Sequence, residues 1–236
     1  MAPPGLLEVE DVHTYIGQHH VLQGVSLALR PDAVTVLLGR NGAGKTTTLR
    51  TIVGVLHPRR GAVRFEGRPI HHLPPHRIAR LGIGYVPEGQ GIFATLTVDE
   101  NLRVATLAPG EDGRARLRRV FDLFPDLERF RRARAGTLSG GQRQMLSIAR
   151  AFVNPTRLLL VDEPSKGLAP IVVEHLIEAL RAVKRHTTVV LVEQNFAMAR
   201  ALGDDFCLVD DGRTIRSGPM AELIADQALL ARHLGV

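Results

Sequence analysis

The chain has 236 residues, a mass of 25.8 kDa, 44% hydrophobic residues and 23% charged residues, which is the composition of an ordinary globular protein. Its longest apolar runs have the length of a strand, so we expect no membrane-spanning helix, which needs roughly 20 apolar residues. The net charge of +6 is compatible with nucleic acid, an anionic membrane surface or an anionic nucleotide as a partner.

The first residues, 1–5, contain no basic stretch followed by an apolar one, so the sequence predicts no signal peptide and a cytosolic location. The single cysteine, Cys207, lies in the apolar run 206–209 and is expected to be a buried structural residue. Almost all the positive charge is arginine, which makes a lysine an unusual residue in this chain. The lysines are Lys45, Lys166 and Lys184.

The first third of the chain has short apolar runs separated by turn residues, a pattern that indicates strands. The expected strands are 6–12, 24–29 and 34–38, followed by a hairpin over 63–70 and a strand at 83–86. They predict a small antiparallel layer that leads into a buried strand.

The middle of the chain, about 90–153, has helical spacing and is predicted to be a helical subdomain, with helices at 99–107, 113–124 and 142–153. Strands at 158–161, 188–193 and 206–209 then alternate with helices at 171–184 and from Phe196, before a hairpin turn at 211–212. Alternating strands and helices predict one α/β domain over 1–236, whose mostly parallel sheet is covered on both faces.

Eight arginines lie between positions 114 and 134. Such a run can face nucleic acid or lipid, but it is more often a solvated helix face. We therefore favour the solvated face.

A glycine-rich loop stands between the predicted strand 34–38 and a helical run, the context in which such a loop binds phosphate. Its backbone N–H groups point at the β-phosphate, Lys45 neutralises the β- and γ-phosphate oxygens, and the Thr46 hydroxyl ligates Mg²⁺. The predicted nucleotide-binding residues are Gly39, Arg40, Asn41, Gly42, Ala43, Gly44, Lys45, Thr46 and Thr47.

Two adjacent carboxylates follow the apolar strand 158–161. Asp162 is expected to hold Mg²⁺, directly or through water, and Glu163, on the opposite side of the pleat, to polarise an attacking water. Together with the glycine-rich loop, this pair predicts a metal-assisted site for phosphoryl transfer.

A second helix start suited to anions lies at Leu138-Ser-Gly-Gly-Gln142. Ser139 can cap the following helix, and Gly140 and Gly141 leave backbone N–H groups exposed ahead of Gln142. One nucleotide needs only one such cradle, so the second suggests that a neighbouring copy supplies it.

These three motifs, GRNGAGKT, LSGGQ and LLLVDEP, resemble the ATP-binding subunit of ABC transporters over essentially the whole chain. The resemblance implies a P-loop NTPase fold with an N-terminal antiparallel layer, ATP and Mg²⁺ as cofactors, and a head-to-tail dimer with a second ATPase subunit. It also implies that Tyr15 stacks on adenine and that the loop 165–168 touches the opposite subunit, while Lys166 receives no role.

Two positions depart from the common pattern of that family. Glu88 replaces a glutamine that reaches Mg²⁺ and the transmembrane partner, and Gln194 replaces a histidine that senses the γ-phosphate. By position, the resemblance implies that both are catalytic residues and that Glu88 is also a metal residue. Gln194 can donate a hydrogen bond but cannot hold a proton at neutral pH, so the role of the base falls more heavily on Glu163.

The segments PEGQGIF, TVDENL, DEPSKGLAP and LVEQN together resemble the LivF-type subunit of importers for branched-chain and other hydrophobic amino acids. That resemblance implies transmembrane permease partners, a substrate-binding protein that acts indirectly, and a peripheral location on the inner face of the cell membrane. It also favours a different paralogue as the second ATPase subunit.

Two other functions compete with transport. A non-transport ABC ATPase that acts on nucleic acid or ribosomes would suit the basic charge, but such proteins generally carry a coiled-coil insertion or two ATPase halves. A P-loop kinase would lack LSGGQ. We therefore expect a transport ATPase that does not bind nucleic acid.

Overall fold

The computed structural model describes residues 5–106 and 110–235. Within these ranges, ten strands form two sheets. The strands are β1 (Leu7–Ile16), β2 (His19–Leu29), β3 (Val34–Leu38), β4 (Arg60–Phe65), β5 (Arg68–Pro69), β6 (Ile83–Val86), β7 (Leu158–Asp162), β8 (Thr188–Val192), β9 (Asp205–Asp210) and β10 (Arg213–Pro219).

Helices cover and connect these sheets, together with a 3-10 turn at Ala135–Thr137. They are α1 (Lys45–Ile52), α2 (Pro75–Arg80), α3 (Val98–Ala105), α4 (Gly110–Leu123), α5 (Pro125–Arg129), α6 (Gly140–Phe152), α7 (Pro170–Lys184), α8 (Phe196–Leu202), α9 (Met220–Ala225) and α10 (Gln227–His233).

The smaller sheet is antiparallel, with the strand order β2-β1-β4-β5, as the sequence predicts. Its first two strands are longer than predicted, because β1 continues through His13 and Thr14 to Ile16. The register of β1 against β2 shifts after Val9, where Asp11 takes a φ of 43°. The register shifts again after Val12 and after Thr14, and these irregularities break the alternation of apolar and polar residues, so the pattern alone ends the strand at Val12.

The larger sheet has the order β10-β9-β3-β8-β7-β6, and only the pairing of β10 with β9 is antiparallel. Its central strands are buried, and their side chains alternate between two apolar clusters. In β7, for example, Leu159 and Val161 pack with the helices on one face, while Leu158 and Leu160 pack toward the antiparallel sheet and α1. Both faces are therefore covered, as predicted for a parallel sheet.

Helices α3 to α6 lie between β6 and β7, inside the segment 90–153 that the sequence predicts as a helical subdomain. Their buried residues belong to the same apolar cluster as one face of the larger sheet. The division of the chain into a core and a subdomain stays a prediction. Two expectations lie outside the described residues: the end of the predicted helix at Leu107 and the N-terminal residues 1–4.

Six of the eight arginines in the cluster are exposed, and the solvated face stays a prediction. Cys207 is fully buried in β9, and burial raises the pKa of its thiol to about 11. Across residues 5–106 and 110–235, no helix has both the length and the apolar character needed to cross a membrane.

Candidate functional site

The site is built at the carboxyl edge of the larger sheet, where three adjacent parallel strands end together. Leu37 of β3 and Asp162 of β7 both lie opposite Val192 of β8. The residues that follow these strands therefore emerge side by side at one edge of the sheet, where ligands bind in open α/β folds.

The glycine-rich loop leaves β3 at this edge and ends at the start of α1. Gly44 precedes the helix with a φ of 105°, a left-handed conformation that a residue with a side chain rarely adopts. A Cβ atom at Gly39 would collide with the carbonyl oxygen of Val209 on the neighbouring strand. Glycine is thus required at both ends of the loop to bring its backbone close to the sheet.

Lys45, the first residue of α1, folds its side chain back into the loop. Its Nζ donates hydrogen bonds to the carbonyl oxygens of Gly39, at 2.8 Å, and Arg40, at 3.0 Å. The residue is 4% exposed, and burial lowers the pKa of the ammonium group. The side chain of Arg40 turns away and donates to the carbonyl oxygen of Arg232 in α10, at 3.2 Å.

Asp162 ends β7 and is buried beside the loop. Its carboxylate accepts hydrogen bonds from the Thr46 hydroxyl, at 3.0 Å, and from the Tyr85 hydroxyl, at 3.3 Å. Burial raises the pKa of Asp162, and burial next to this carboxylate raises the pKa of Tyr85 to about 12. The sequence analysis did not identify Tyr85. The available signal was its position on β6, which pairs with β7, the strand that ends at Asp162.

The expectation that Glu163 lies on the opposite side of the pleat from Asp162 assumed that the strand continues through Glu163. β7 ends at Asp162, and Glu163 takes a φ of 46°, so the alternation of a strand no longer applies. Its Oε1 lies 3.8 Å from the Nζ of Lys45 and accepts a hydrogen bond from the Gln194 amide at 2.8 Å. The same amide nitrogen donates to Asn41 of the glycine-rich loop.

Glu193 was not singled out from the sequence, yet it connects two loops of the site. The buried carboxylate accepts four hydrogen bonds, from the backbone N–H and hydroxyl of Ser165 and from the backbone N–H groups of Gln194 and Asn195. Burial raises its pKa, while these donors oppose that rise. An acid directly after the buried strand β8 was the available signal.

Glu88, predicted as a metal and catalytic residue, lies on the loop after β6 and pairs with Lys166. The Nζ of Lys166 is 2.6 Å from the Oε1 of Glu88 and 3.7 Å from the Oε2 of Glu163. The hydrogen bond to Glu88 raises the pKa of Lys166. In this structure a second lysine therefore stands among the predicted acids.

Several of these groups, but not Asp162 or Gln194, line one pocket, which we call the phosphate pocket, with a volume of about 230 Å³. It contains most of the predicted loop residues and both glutamates, and it adds Lys166 and Val21 to them. Its lining residues are Val21, Asn41, Gly42, Gly44, Lys45, Thr46, Thr47, Glu88, Glu163 and Lys166.

The segment 139–142 does not line the phosphate pocket. Ser139 caps α6: its hydroxyl accepts from the N–H of Gln142 at 3.2 Å, and the Gln142 side chain accepts from the N–H of Ser139 at 2.9 Å. Ser139 is exposed and faces outward, whereas Gly141 is buried beside Val172, so the expectation of an exposed glycine pair does not hold at Gly141. An exposed and capped helix N-terminus favours an anion that belongs to another molecule.

Tyr15, the predicted adenine-stacking residue, also lies outside the phosphate pocket. Its ring stacks on His20, with centroids 4.2 Å apart and an interplanar angle of 2°, and the guanidinium of Arg59 lies 4.2 Å from the ring centroid. In this structure the ring is therefore already in contact with His20 and Arg59. Its contact with adenine stays a prediction.

Comparison with known proteins assigns this arrangement to a family. The profile of the family described as ABC transporter matches residues 22–166. Over 232 residues the chain is 38% identical to the high-affinity branched-chain amino acid transport ATP-binding protein BraG of Pseudomonas aeruginosa, covering 98% of this chain and 100% of that protein. Over 220 residues it is 36% identical to the probable branched-chain amino acid transport ATP-binding protein LivF of Archaeoglobus fulgidus, covering 92% and 93%.

The fold agrees with solved structures of the same kind. An ATP-binding subunit of an ABC transporter superposes with a TM-score of 0.81 and 29% identity, covering 98% of this chain and 96% of that one. The sheet order, the glycine-rich loop and the paired acids are thus parts of a P-loop NTPase fold. The chain belongs to the ABC transporter family, and it is an ABC-type ATPase.

Proposed function

We propose that this chain is the ATP-hydrolysing subunit of an importer for branched-chain or other hydrophobic amino acids. The names of the relatives BraG and LivF support this cargo, because both are branched-chain amino acid transport proteins that match nearly the whole chain. No residue of the phosphate pocket contacts the cargo in this proposal, so selectivity resides in other subunits.

One observation carries the proposed chemistry: Lys45, Thr46, Asp162 and Glu163 meet at one edge of the sheet. Lys45 neutralises phosphate oxygens, and the N–H groups at the start of α1 bind them. Glu163 orients and polarises the attacking water, and Gln194 holds its carboxylate in place by the 2.8 Å hydrogen bond. Gln194 provides the hydrogen bond that positions this base but not a second proton acceptor.

The metal in this proposal is Mg²⁺. No group of three or more His, Cys, Asp or Glu side chains in the described part of the chain is arranged to hold a metal ion. The pair Thr46 and Asp162 nevertheless supplies the hard oxygen donors that Mg²⁺ prefers, and Mg²⁺ usually takes its other ligands from water and substrate phosphates. When bound there, Mg²⁺ neutralises charge on the phosphate oxygens.

The proposal includes a head-to-tail pair of ATPase subunits. Ser139, Gly140, Gly141 and Gln142 start α6 outside the phosphate pocket of their own chain. An exposed helix N-terminus of this kind stabilises a γ-phosphate held by a second subunit. The second subunit is either a copy of this chain or a paralogue, and the LivF resemblance favours a paralogue.

The other partners follow from the same proposal. Two permease subunits hold the ATPase pair at the inner face of the membrane, and a substrate-binding protein delivers the cargo to the permeases. The competing function, action on nucleic acid or ribosomes, receives no support from the relatives that match the full chain.

Hydrolysis of ATP by the purified chain tests the chemical part of the proposal. Release of phosphate should require Mg²⁺ and should be lost in Lys45→Ala, which removes the ammonium group from the phosphate pocket. Glu178→Gln on the exposed face of α7 is the control. ATP turnover by Lys45→Ala at the wild-type rate would remove this pocket from the reaction.

Uptake of labelled leucine tests the cargo. Vesicles that hold the chain with the permease subunits of its transporter should accumulate leucine when ATP is supplied inside and the binding protein outside. Vesicles with Lys45→Ala should not. ATP-dependent uptake of an unrelated solute, without leucine uptake, would contradict the assigned cargo and leave the ATPase chemistry intact.

A further inference from the structure

Lys166 has no assigned role, but it is one of the residues that line the phosphate pocket. Its Nζ lies 2.6 Å from Glu88 and 3.7 Å from one carboxylate oxygen of Glu163. Lys45 approaches the other oxygen of Glu163 at 3.8 Å. Two of the three lysines in the chain therefore stand on either side of one glutamate.

The charges that line the pocket balance only when Lys166 is included. Lys45 and Lys166 are positive, and Glu88 and Glu163 are negative. Without Lys166 the lining would hold two carboxylates and one ammonium group, directly beside Asp162. A triphosphate is strongly anionic, so an unpaired carboxylate in this pocket opposes its binding.

The need for Lys166 arises from the residue type at position 88. A glutamine at position 88 would carry no charge, whereas glutamate needs a cation to be tolerated beside phosphate. The hydrogen bond to Glu88 raises the pKa of Lys166, so the ammonium stays charged at neutral pH. The pair also joins the loop after β6 to the loop after β7, which places the Glu88 carboxylate at the rim of the pocket.

We propose that Lys166 is a positioning residue of the phosphate pocket, which neutralises and holds Glu88 and thereby sets the affinity of the pocket for the triphosphate of a nucleotide. The inference rests on the proposed function, because it requires that the phosphates bind in this pocket. It assigns a role that neither the motif nor the relatives supply.

The test is the equilibrium binding of a fluorescent ATP analogue to the purified chain, with EDTA present so that no metal contributes and no turnover occurs. Lys166→Met should weaken binding about 3- to 10-fold at low salt, because Glu88 is then unpaired. Glu88→Gln should strengthen binding by a similar factor, because Lys166 is then free to attract phosphate. The double variant should return to within about two-fold of the wild type.

Two further variants separate this role from a general effect of charge or structure. Lys166→Arg keeps the charge and should bind the analogue like the wild type. Lys184→Met makes the same change in net charge outside the phosphate pocket, because Lys184 lies on α7 and pairs with Asp204 at 2.7 Å. The affinity of this variant for the analogue should equal that of the wild type. High salt should reduce the effect of Lys166→Met, because salt screens charges at a half-exposed pair.

The inference is overturned if Lys166→Met binds the analogue like the wild type, if Lys184→Met weakens binding equally, or if Glu88→Gln fails to offset the loss. These outcomes differ from failure of the proposed function. If the wild type does not bind the analogue, or if Lys45→Ala binds it equally well, the phosphates bind elsewhere and the nucleotide site itself is wrong.

Discussion

The Glu163 carboxylate is held by two ion pairs and one hydrogen bond. Lys45 and Lys166 lie 3.8 and 3.7 Å from its two oxygens, and Gln194 donates a hydrogen bond to it at 2.8 Å. Its φ of 46° moves it off the line of β7 and toward the glycine-rich loop. The carboxylate therefore has a fixed place beside the pocket, which is the first requirement for a general base.

Glu163→Gln should lower ATP turnover by about 10²- to 10⁴-fold, the usual contribution of a positioned base. ATP affinity should be retained, because the phosphate-binding groups remain. Phosphate release measures turnover, and a fluorescent ATP analogue measures affinity. Glu178→Gln makes the same chemical change at an exposed site on α7 and serves as the control; equal turnover in the two variants would exclude Glu163 as the base.

Cys207 gives the chain a pH dependence of stability at alkaline pH. Burial raises the thiol pKa from its ordinary value of 9.0 to about 11. Between these values the folded chain keeps the proton and the unfolded chain loses it, so the free energy of unfolding falls as pH rises. The part of the fall due to Cys207 should be about 2 kcal/mol.

Urea unfolding of the wild type and of Cys207→Ala at pH values from 8 to about 11 measures this effect. The variant lacks the thiol, so its free energy of unfolding should fall less steeply over the same range. Other groups that titrate there are common to both proteins and cancel in the difference. Parallel curves would show that the folded thiol titrates normally.

At the scale of single residues, the sequence was informative where a residue type is rare or its motif is continuous. Lys45 is one of three lysines, so its position in the glycine-rich loop was a clear signal. Thr46 and Asp162 each lie in a short motif, so the 3.0 Å contact between Thr46 and Asp162 could be expected. The pairing of Glu88 with Lys166 could not, because the two residues are 78 positions apart and no local pattern joins them.

At the scale of elements, the carboxylate of Glu193 connects the end of β8 to the loop after β7. It receives donors from Ser165 and from the start of the segment that leads to α8. The loop after β7 carries Glu163, and the loop after β8 carries Gln194. Glu193 is therefore a positioning residue, which keeps the base and its hydrogen-bond donor in register.

Glu193→Ala should lower the free energy of unfolding by about 2 to 4 kcal/mol, because it leaves partly buried donors without an acceptor. Hydrogen exchange at the amides of Ser165 and Gln194 should speed up in the native protein. Ser165→Ala removes a single hydroxyl donor to the same carboxylate and should cost only about 1 kcal/mol. Equal losses in both variants would contradict the connecting role of Glu193.

The sequence predicted the larger elements well because most of them have regular apolar spacing. The buried strands β3, β7 and β8 are continuous apolar runs, and α7 begins and ends within one residue of its expected bounds. The ends of β1 and β2 were missed because a bulge and polar residues interrupt the pattern. Short helices such as α2 and α5 have too few turns to produce a periodic signal.

At the scale of the whole molecule, the loop after β6 links the phosphate pocket to the exposed helix start of α6. Glu88 at one end of this loop binds Lys166, while the Gln90 amide contacts the Gly140 carbonyl at 3.4 Å and its backbone carbonyl accepts from Ser147. A change in the pocket can therefore reach the helix start that our proposal places against a second subunit. Such a path has a function only if the two subunits share their sites.

Mixing two inactive variants tests the shared site. Lys45→Ala keeps the helix start of α6 but loses its own phosphate pocket, and Ser139→Arg keeps the pocket but blocks the helix start. In a head-to-tail pair of these two chains, one site combines the intact pocket with the intact helix start. If this chain pairs with itself, the mixture should recover about a quarter of the wild-type ATPase activity, since half of the random pairs are mixed and each has one working site.

The matched control replaces Ser139→Arg by Thr97→Arg, which places the same charge at the capped start of α3. Thr97→Arg alone should keep its activity, because that helix start lies outside both sites of the pair. If the mixture of Lys45→Ala and Ser139→Arg stays inactive, this chain does not pair with itself in a head-to-tail manner. Each variant is then mixed with a paralogous ATPase subunit. Ser139→Arg abolishes hydrolysis in the partner's pocket only if the two subunits share that site. This mixture therefore decides between a shared site and a self-contained one.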